Sequence, residues 1–137
     1  MLEWMQDDLI TLKDENIRFL ERHEKEIVKR IRQFDKGAEE NLEGEILFQL
    51  LTHIMDICNI IEYMQKPVQK EGILRRDQEG NLSLNGQQLP TMMQLEAYVY
   101  DEEQRRYLWT WTWVGTGKFP VLEGVKENPV GIRVRIR

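Results

Sequence analysis

Between Gln65 and Lys70 the apolar pattern of this chain changes its period, and that change limits the fold more than any other feature. Before it, Asp7 to Phe34 contains no Gly or Pro. Apolar residues recur there at helical spacings: Leu9, Leu12 and Phe19, with Asn16 as a polar break, and Ile10, Ile17, Leu20, Ile27, Ile31 and Phe34. That pattern predicts a long amphipathic helix. Glu21–Lys25 and Glu26–Arg30 stand at the favourable i,i+4 offset on its charged face. Asp7 and Asp8 suit the positive end of its dipole, and Lys29, Arg30, Arg32 and Lys36 the negative end. Gly37 is the expected stop and Asn41 the expected N-cap of a second helix, Leu42 to Gln65, which Pro67 ends. In that helix Leu47, Leu50, Ile54, Ile57, Ile61 and Met64 form a heptad seam, widened by Ile46, Leu51, Met55 and Cys58. A stripe so wide calls for neighbours on two sides, one of them the first helix and the other the β-domain or a second copy of the chain. This predicts an antiparallel helical hairpin packed on the sheet, with a homodimer through the helices as an extension.

After Pro67 the period becomes two. Gly72–Arg75, Leu82–Leu84, Gln87–Leu89, Glu96–Tyr100, Phe119–Leu122 and Gly131–Arg137 read as short strands, with Asn85-Gly86 signalling a type I′ hairpin turn. The securest strand is Arg105 to Gly115, RRYLWTWTWVG, in which Tyr107, Trp109, Trp111 and Trp113 alternate with Leu108, Thr110, Thr112 and Val114. One face of it is a ladder of rings, the other β-branched or aliphatic. The fold expected is α+β: a long helical hairpin, residues 1–66, followed by a small antiparallel β-meander or open barrel of five to six strands, residues 67–137.

Composition narrows the function. A single cysteine, Cys58, excludes an internal disulfide and any multi-thiolate metal site, and a reducing, cytoplasmic setting is the default. The N-terminus lacks the basic, apolar and small-residue succession of a signal peptide. Gln49, His53, Asp56 and Asn59 interrupt the longest apolar stretch, so no membrane span is expected. The net charge of −5 is uneven: residues 1–66 carry 9 Lys+Arg and 15 Asp+Glu, a balance of −6, and residues 67–137 carry 10 and 9, a balance of +1. An acidic first half is poorly suited to phosphate backbones.

No catalytic signature emerges. Cys58 lies five residues beyond His53, about 140° around a helix, which is the wrong offset for a nucleophile and its base. His23 sits among charges, and the adjacent carboxylate pairs Asp7/Asp8, Asp14/Glu15, Glu39/Glu40 and Glu102/Glu103 diverge. The chain is expected to be no enzyme and to need no cofactor or metal. Two constellations remain. The acidic start of the second helix, Glu39, Glu40, Glu43 and Glu45, offers a surface for a basic protein. Trp109, Trp111 and Trp113 with Arg133, Arg135 and Arg137 offer a face for single-stranded nucleic acid, if those strands are neighbours. Against the second stands the need of a β-domain of about 70 residues for a core, which favours rings turned inward and arginines that line the outer surface or pair with Glu96, Glu102 and Glu103.

The second half, about residues 68–137, resembles a small β-rich domain family of Gram-positive bacteria and of their phages and conjugative elements. The resemblance lies in KEGILRRDQEGNLSLNGQQL, an acidic strand residue (Glu96), a tryptophan-bearing strand, LEG, and the closing GIRVRIR. It implies a β-rich fold and a mobile-element setting, and it carries no catalytic residues over. With the acidic arm it leads to an expected function: a non-enzymatic interaction protein that binds and modulates or inhibits a host nucleic-acid-handling protein, such as a defence nuclease. A nucleic-acid-binding accessory protein using the Trp/Arg face, and a structural homodimer, are the alternatives.

Overall fold

The computed structural model of the chain describes residues 2–33 and 37–137. Its contacts divide it into two units, Met1–Lys66 and Pro67–Arg137.

The first unit is a helical hairpin. A 3-10 turn, Glu3–Met5, leads into helix α1, Gln6–Ile31, and helix α2 spans Ala38–Gln65. Phe34 and Lys36, assigned from sequence to the end of the first helix, lie outside the described residues. Helix α2 starts earlier than its sequence signal: Gly37, with extended backbone, is the N-cap, and Asn41 is already inside, its N–H donating to the Gly37 carbonyl at 3.0 Å. Lys66 leaves the helix at φ −71°, ψ 136°, the extended conformation that a following proline imposes.

The two helices pack on each other. On α2 the side turned inward is Gly44, Leu47, Leu51, Ile54, Cys58 and Ile61, all buried or half-buried, and on α1 Ile27 is buried. This corrects the seam expected from sequence, because Leu50 and Ile57 are 43% and 38% exposed. Two interleaved apolar stripes run along α2, and the heptad rule fits both; contact with α1 selects the one through Leu51. By length and composition alone α2 is long and apolar enough to cross a bilayer. Gln49, His53, Asp56 and Asn59, the polar positions on which the expectation of no span rests, are all exposed along it.

The second unit holds seven strands, where five to six were expected: β1 Lys70–Ile73, β2 Arg75–Arg76, β3 Leu82–Leu84, β4 Gln87–Gln88, β5 Gln94–Asp101, β6 Arg106–Trp113 and β7 Arg133–Ile136. They form two open antiparallel sheets, of order β1-β7-β5-β6 and β2-β3-β4. The order departs from a meander, since the last strand inserts between the first and the fifth. Phe119–Leu122 forms no strand; Leu122 makes a single bridge to Val114. Asn85 and Gly86 both have positive φ, 52° and 79°, as the I′ turn requires.

Leucines and small β-branched residues fill the core. Leu74, Leu82, Leu84, Leu89, Leu95, Ala97, Val114, Leu122, Ile132, Val134 and Ile136 form one buried cluster, with Met93, Val99 and Val125 at its margin. No tryptophan belongs to it. The expectation that the rings make the core is therefore overturned. Leucines from the loops and the smaller sheet supply enough apolar volume, and alternation then turns the opposite face of β6 outward.

Candidate binding face

The four-stranded sheet has one face on the core and one turned away from it. Along β5, Leu95, Ala97 and Val99 go inward, and Gln94, Glu96, Tyr98 and Tyr100 share the outer face. Antiparallel register sets each of these beside a ring of β6: Tyr100 opposite Tyr107, Tyr98 opposite Trp109, Glu96 opposite Trp111 and Gln94 opposite Trp113. On the other side, β7 brings Arg133 opposite Tyr98 and Arg135 opposite Glu96, and β1 adds Ile73 and Glu71. The Trp and Arg strands, whose adjacency the nucleic-acid alternative required, are separated by β5, yet their side chains meet across it.

The rings form a continuous layer. Tyr98 stacks on Tyr107 with centroids 5.5 Å apart and touches Trp109 at 5.2 Å, while Tyr100 meets Tyr107 edge-on at 5.5 Å. The guanidinium of Arg135 lies 4.2 Å, and that of Arg133 5.6 Å, from the centre of Trp109, cation–π geometry for both. Trp111 and Trp113 are 44% and 43% exposed, and Tyr98, Tyr100, Tyr107 and Ile73 are also exposed.

The arginines are ion-paired within the face. Arg135 and Arg137 both donate to the buried Glu96, the second through Nε at 2.6 Å, and Arg133 donates through Nε to Glu71 at 2.6 Å. Of the three carboxylates expected to pair with them, Glu96 does so; Glu102 and Glu103 lie in the exposed turn between β5 and β6. Burial pushes the Glu96 pKa up, but the hydrogen bonds and charges of Arg137 and Arg135 outweigh it and hold the carboxyl below its ordinary range. Three guanidiniums thus face two carboxylates, Glu71 and Glu96, so the face has little unopposed positive charge.

The acidic arm is differently built. Glu39 and Glu40 occupy the first turn of α2, where carboxylates offset the helix dipole. Glu43 accepts from Arg30 of α1 at 3.2 Å, and Glu45 accepts from Asn41 at 3.4 Å. The open cleft beside them, about 460 Å³, mixes signs, being lined by Glu26, Lys29, Arg30, Gln33, Glu40, Glu43 and Gly44. His23 packs its ring 4.9 Å from Phe19; His53 is exposed and Cys58 half-buried. Among the described residues no group of three or more His, Cys, Asp or Glu is placed to hold a metal ion.

Sequence reasoning missed Tyr98, Tyr100 and Glu71 as members of the face. The two tyrosines carried a signal, the alternation of QLEAYVYD, whereas Glu71 meets Arg133 only through a sheet order that brings together residues 62 positions apart. Comparison with known protein families, with curated proteins and with solved structures finds no match to the chain.

Proposed function

We propose that the chain is a non-enzymatic binding protein that takes up a protein partner on the outer face of its four-stranded sheet. The observation that carries this reading is the exposure of Tyr98, Tyr100, Tyr107, Trp111 and Trp113 together on one pleated surface. Tyr, Trp and Arg are the residues that dominate protein–protein contact energies. Rings fixed on a sheet lose little conformational freedom on binding, so more of their contact energy appears as affinity.

A protein fits better than a nucleic acid because Glu71 and Glu96 already occupy the arginines, and a phosphate backbone would compete with those carboxylates. The emphasis moves from the acidic arm to the sheet for a physical reason: the helix terminus, Arg30 and Asn41 account for Glu39, Glu40, Glu43 and Glu45. The mobile-element resemblance keeps a host nucleic-acid-handling protein as the partner class to test first.

The test uses the tagged full chain as bait in bacterial lysate. Two variants accompany it: Tyr107→Ala with Trp111→Ala, and Glu39, Glu40, Glu43 and Glu45 all to Gln. The aromatic variant is expected to lose the captured partner and the glutamine variant to keep it. The reverse result would return the function to the acidic arm. Fluorescent single- and double-stranded oligonucleotides titrated at moderate salt are expected to bind no tighter than about 10 μM, because the chain has a net charge of −5 and residues 67–137 carry only one more basic than acidic residue, 10 against 9. Sub-micromolar binding would make the same face a nucleic-acid platform.

A further inference from the structure

Helix α2 presents a second apolar stripe that α1 does not cover. Leu42, Ile46, Leu50, Ile57 and Ile60 are all at least 38% exposed, and His53 and Met64 continue their spacing. From Ile46 to Met64 the steps are four, three, four, three and four, an unbroken heptad register about 120° around the helix from the buried seam. We infer that this stripe packs antiparallel against the same stripe of a second copy, so that two helical hairpins form a four-helix bundle.

Three features select a second copy. The register is that of a helix seam, and an identical helix carries the complementary one, as a two-fold interface requires. On the far side between the stripes, an exposed polar row, Asn41, Glu45, Gln49, Thr52, Asp56 and Asn59, runs the length of the helix beside the exposed Phe48 and Met55, and such a row suits water better than lipid. The contact has adequate size: a stripe about 33 Å long exposes apolar surface on the order of 400 Å² per copy, and polar flanks would bring it toward the roughly 800 Å² per partner of a stable interface. The helix dipoles set the direction. Antiparallel packing opposes the two macrodipoles and keeps the acidic starts of α2, with Glu39 and Glu40, apart, whereas parallel packing would crowd them together. At the other end Lys66 pairs with Glu62 at 3.4 Å.

Light scattering and sedimentation equilibrium of the full chain are expected to return about 33 kDa, twice the 16.5 kDa of one chain. Leu50→Glu with Ile57→Glu, both at exposed positions, should halve the mass while the helical circular dichroism persists. Ile60→Glu provides the same readout should the double variant lose its helicity. A parent of monomer mass, or a dimer that survives these changes with helicity intact, would overturn the inference. So would flotation of the parent, but not of the variants, with phosphatidylglycerol vesicles, since lipid would then be the occupant. Orientation is read in a Cys58→Ser background. Ile46→Cys and Met64→Cys chains should form a disulfide when mixed and not separately; a disulfide formed by either chain alone would overturn the antiparallel arrangement.

Discussion

Replacing Glu96 by Gln removes one charge from the centre of the sheet face and tests how that face is held. Glu96 is 5% exposed and accepts from both Arg135 and Arg137, whose side chains are 24% and 11% exposed. Taking away one member of a buried ion pair costs about 3–5 kcal/mol because the partner keeps its desolvation penalty, and the lower end applies here, since Arg135 retains some water and Gln still accepts one hydrogen bond. A loss of about 3 kcal/mol would lower the melting temperature of a unit of this size by roughly 15 °C. Urea unfolding followed by tryptophan fluorescence reports on this unit: three tryptophans lie in β6, and Trp4, already 81% exposed, changes little. Acid gives a second reading. The Arg137 and Arg135 guanidiniums outweigh burial and hold the folded Glu96 carboxyl below the ordinary glutamate range, so its contribution is complete above that range and fades as pH falls through the folded pKa. The gap between parent and Glu96→Gln should therefore be full at neutral pH and close in acid. A variant within 0.5 kcal/mol of the parent at pH 7 would refute the buried-pair argument, because even an ordinary hydrogen bond contributes about that much. A gap that stays constant into acid would refute the assignment of the effect to charge.

Two further substitutions probe the rest of the structure. Ile54→Asp should abolish the helical unit's cooperative melting, since Ile54 is 8% exposed against α1, and loss of only a degree or two by calorimetry would place the seam elsewhere. Gly80→Ala should cost about 2 kcal/mol in chemical denaturation, because Gly80 has φ +86° and an added Cβ would stand 2.5 Å from the Phe119 ring; an unchanged midpoint would refute the close approach.

The local elements were largely legible. Period and breakers mark both helices, the end of the second at Pro67, the hairpin at Asn85-Gly86 and the tryptophan strand, because each depends on residues a few positions apart, whereas the cap was misplaced, Gly37 taking the role expected of Asn41. Alternation also divides β6 into two faces without any structure. It does not say which face is inside. That depends on whether other segments supply a core, and Leu74, Leu82, Leu84, Leu89, Leu95 and Leu122 converge only once the chain is folded. The same limit applies to α2. Two heptad stripes coexist in its sequence, and packing with α1 buries Leu51, Ile54 and Ile61 and leaves Leu50 and Ile57 outside. Pairing was the least legible of all. Insertion of β7 between β1 and β5 brings Arg133 to Glu71 and Arg135 to Glu96, contacts 62 and 39 residues apart for which no local pattern exists. Sequence thus determined the elements and their two-faced character, through short-range sterics and periodicity. Tertiary structure chose the buried face and the partner of each charge, because both are set by competition among distant segments for one apolar interior.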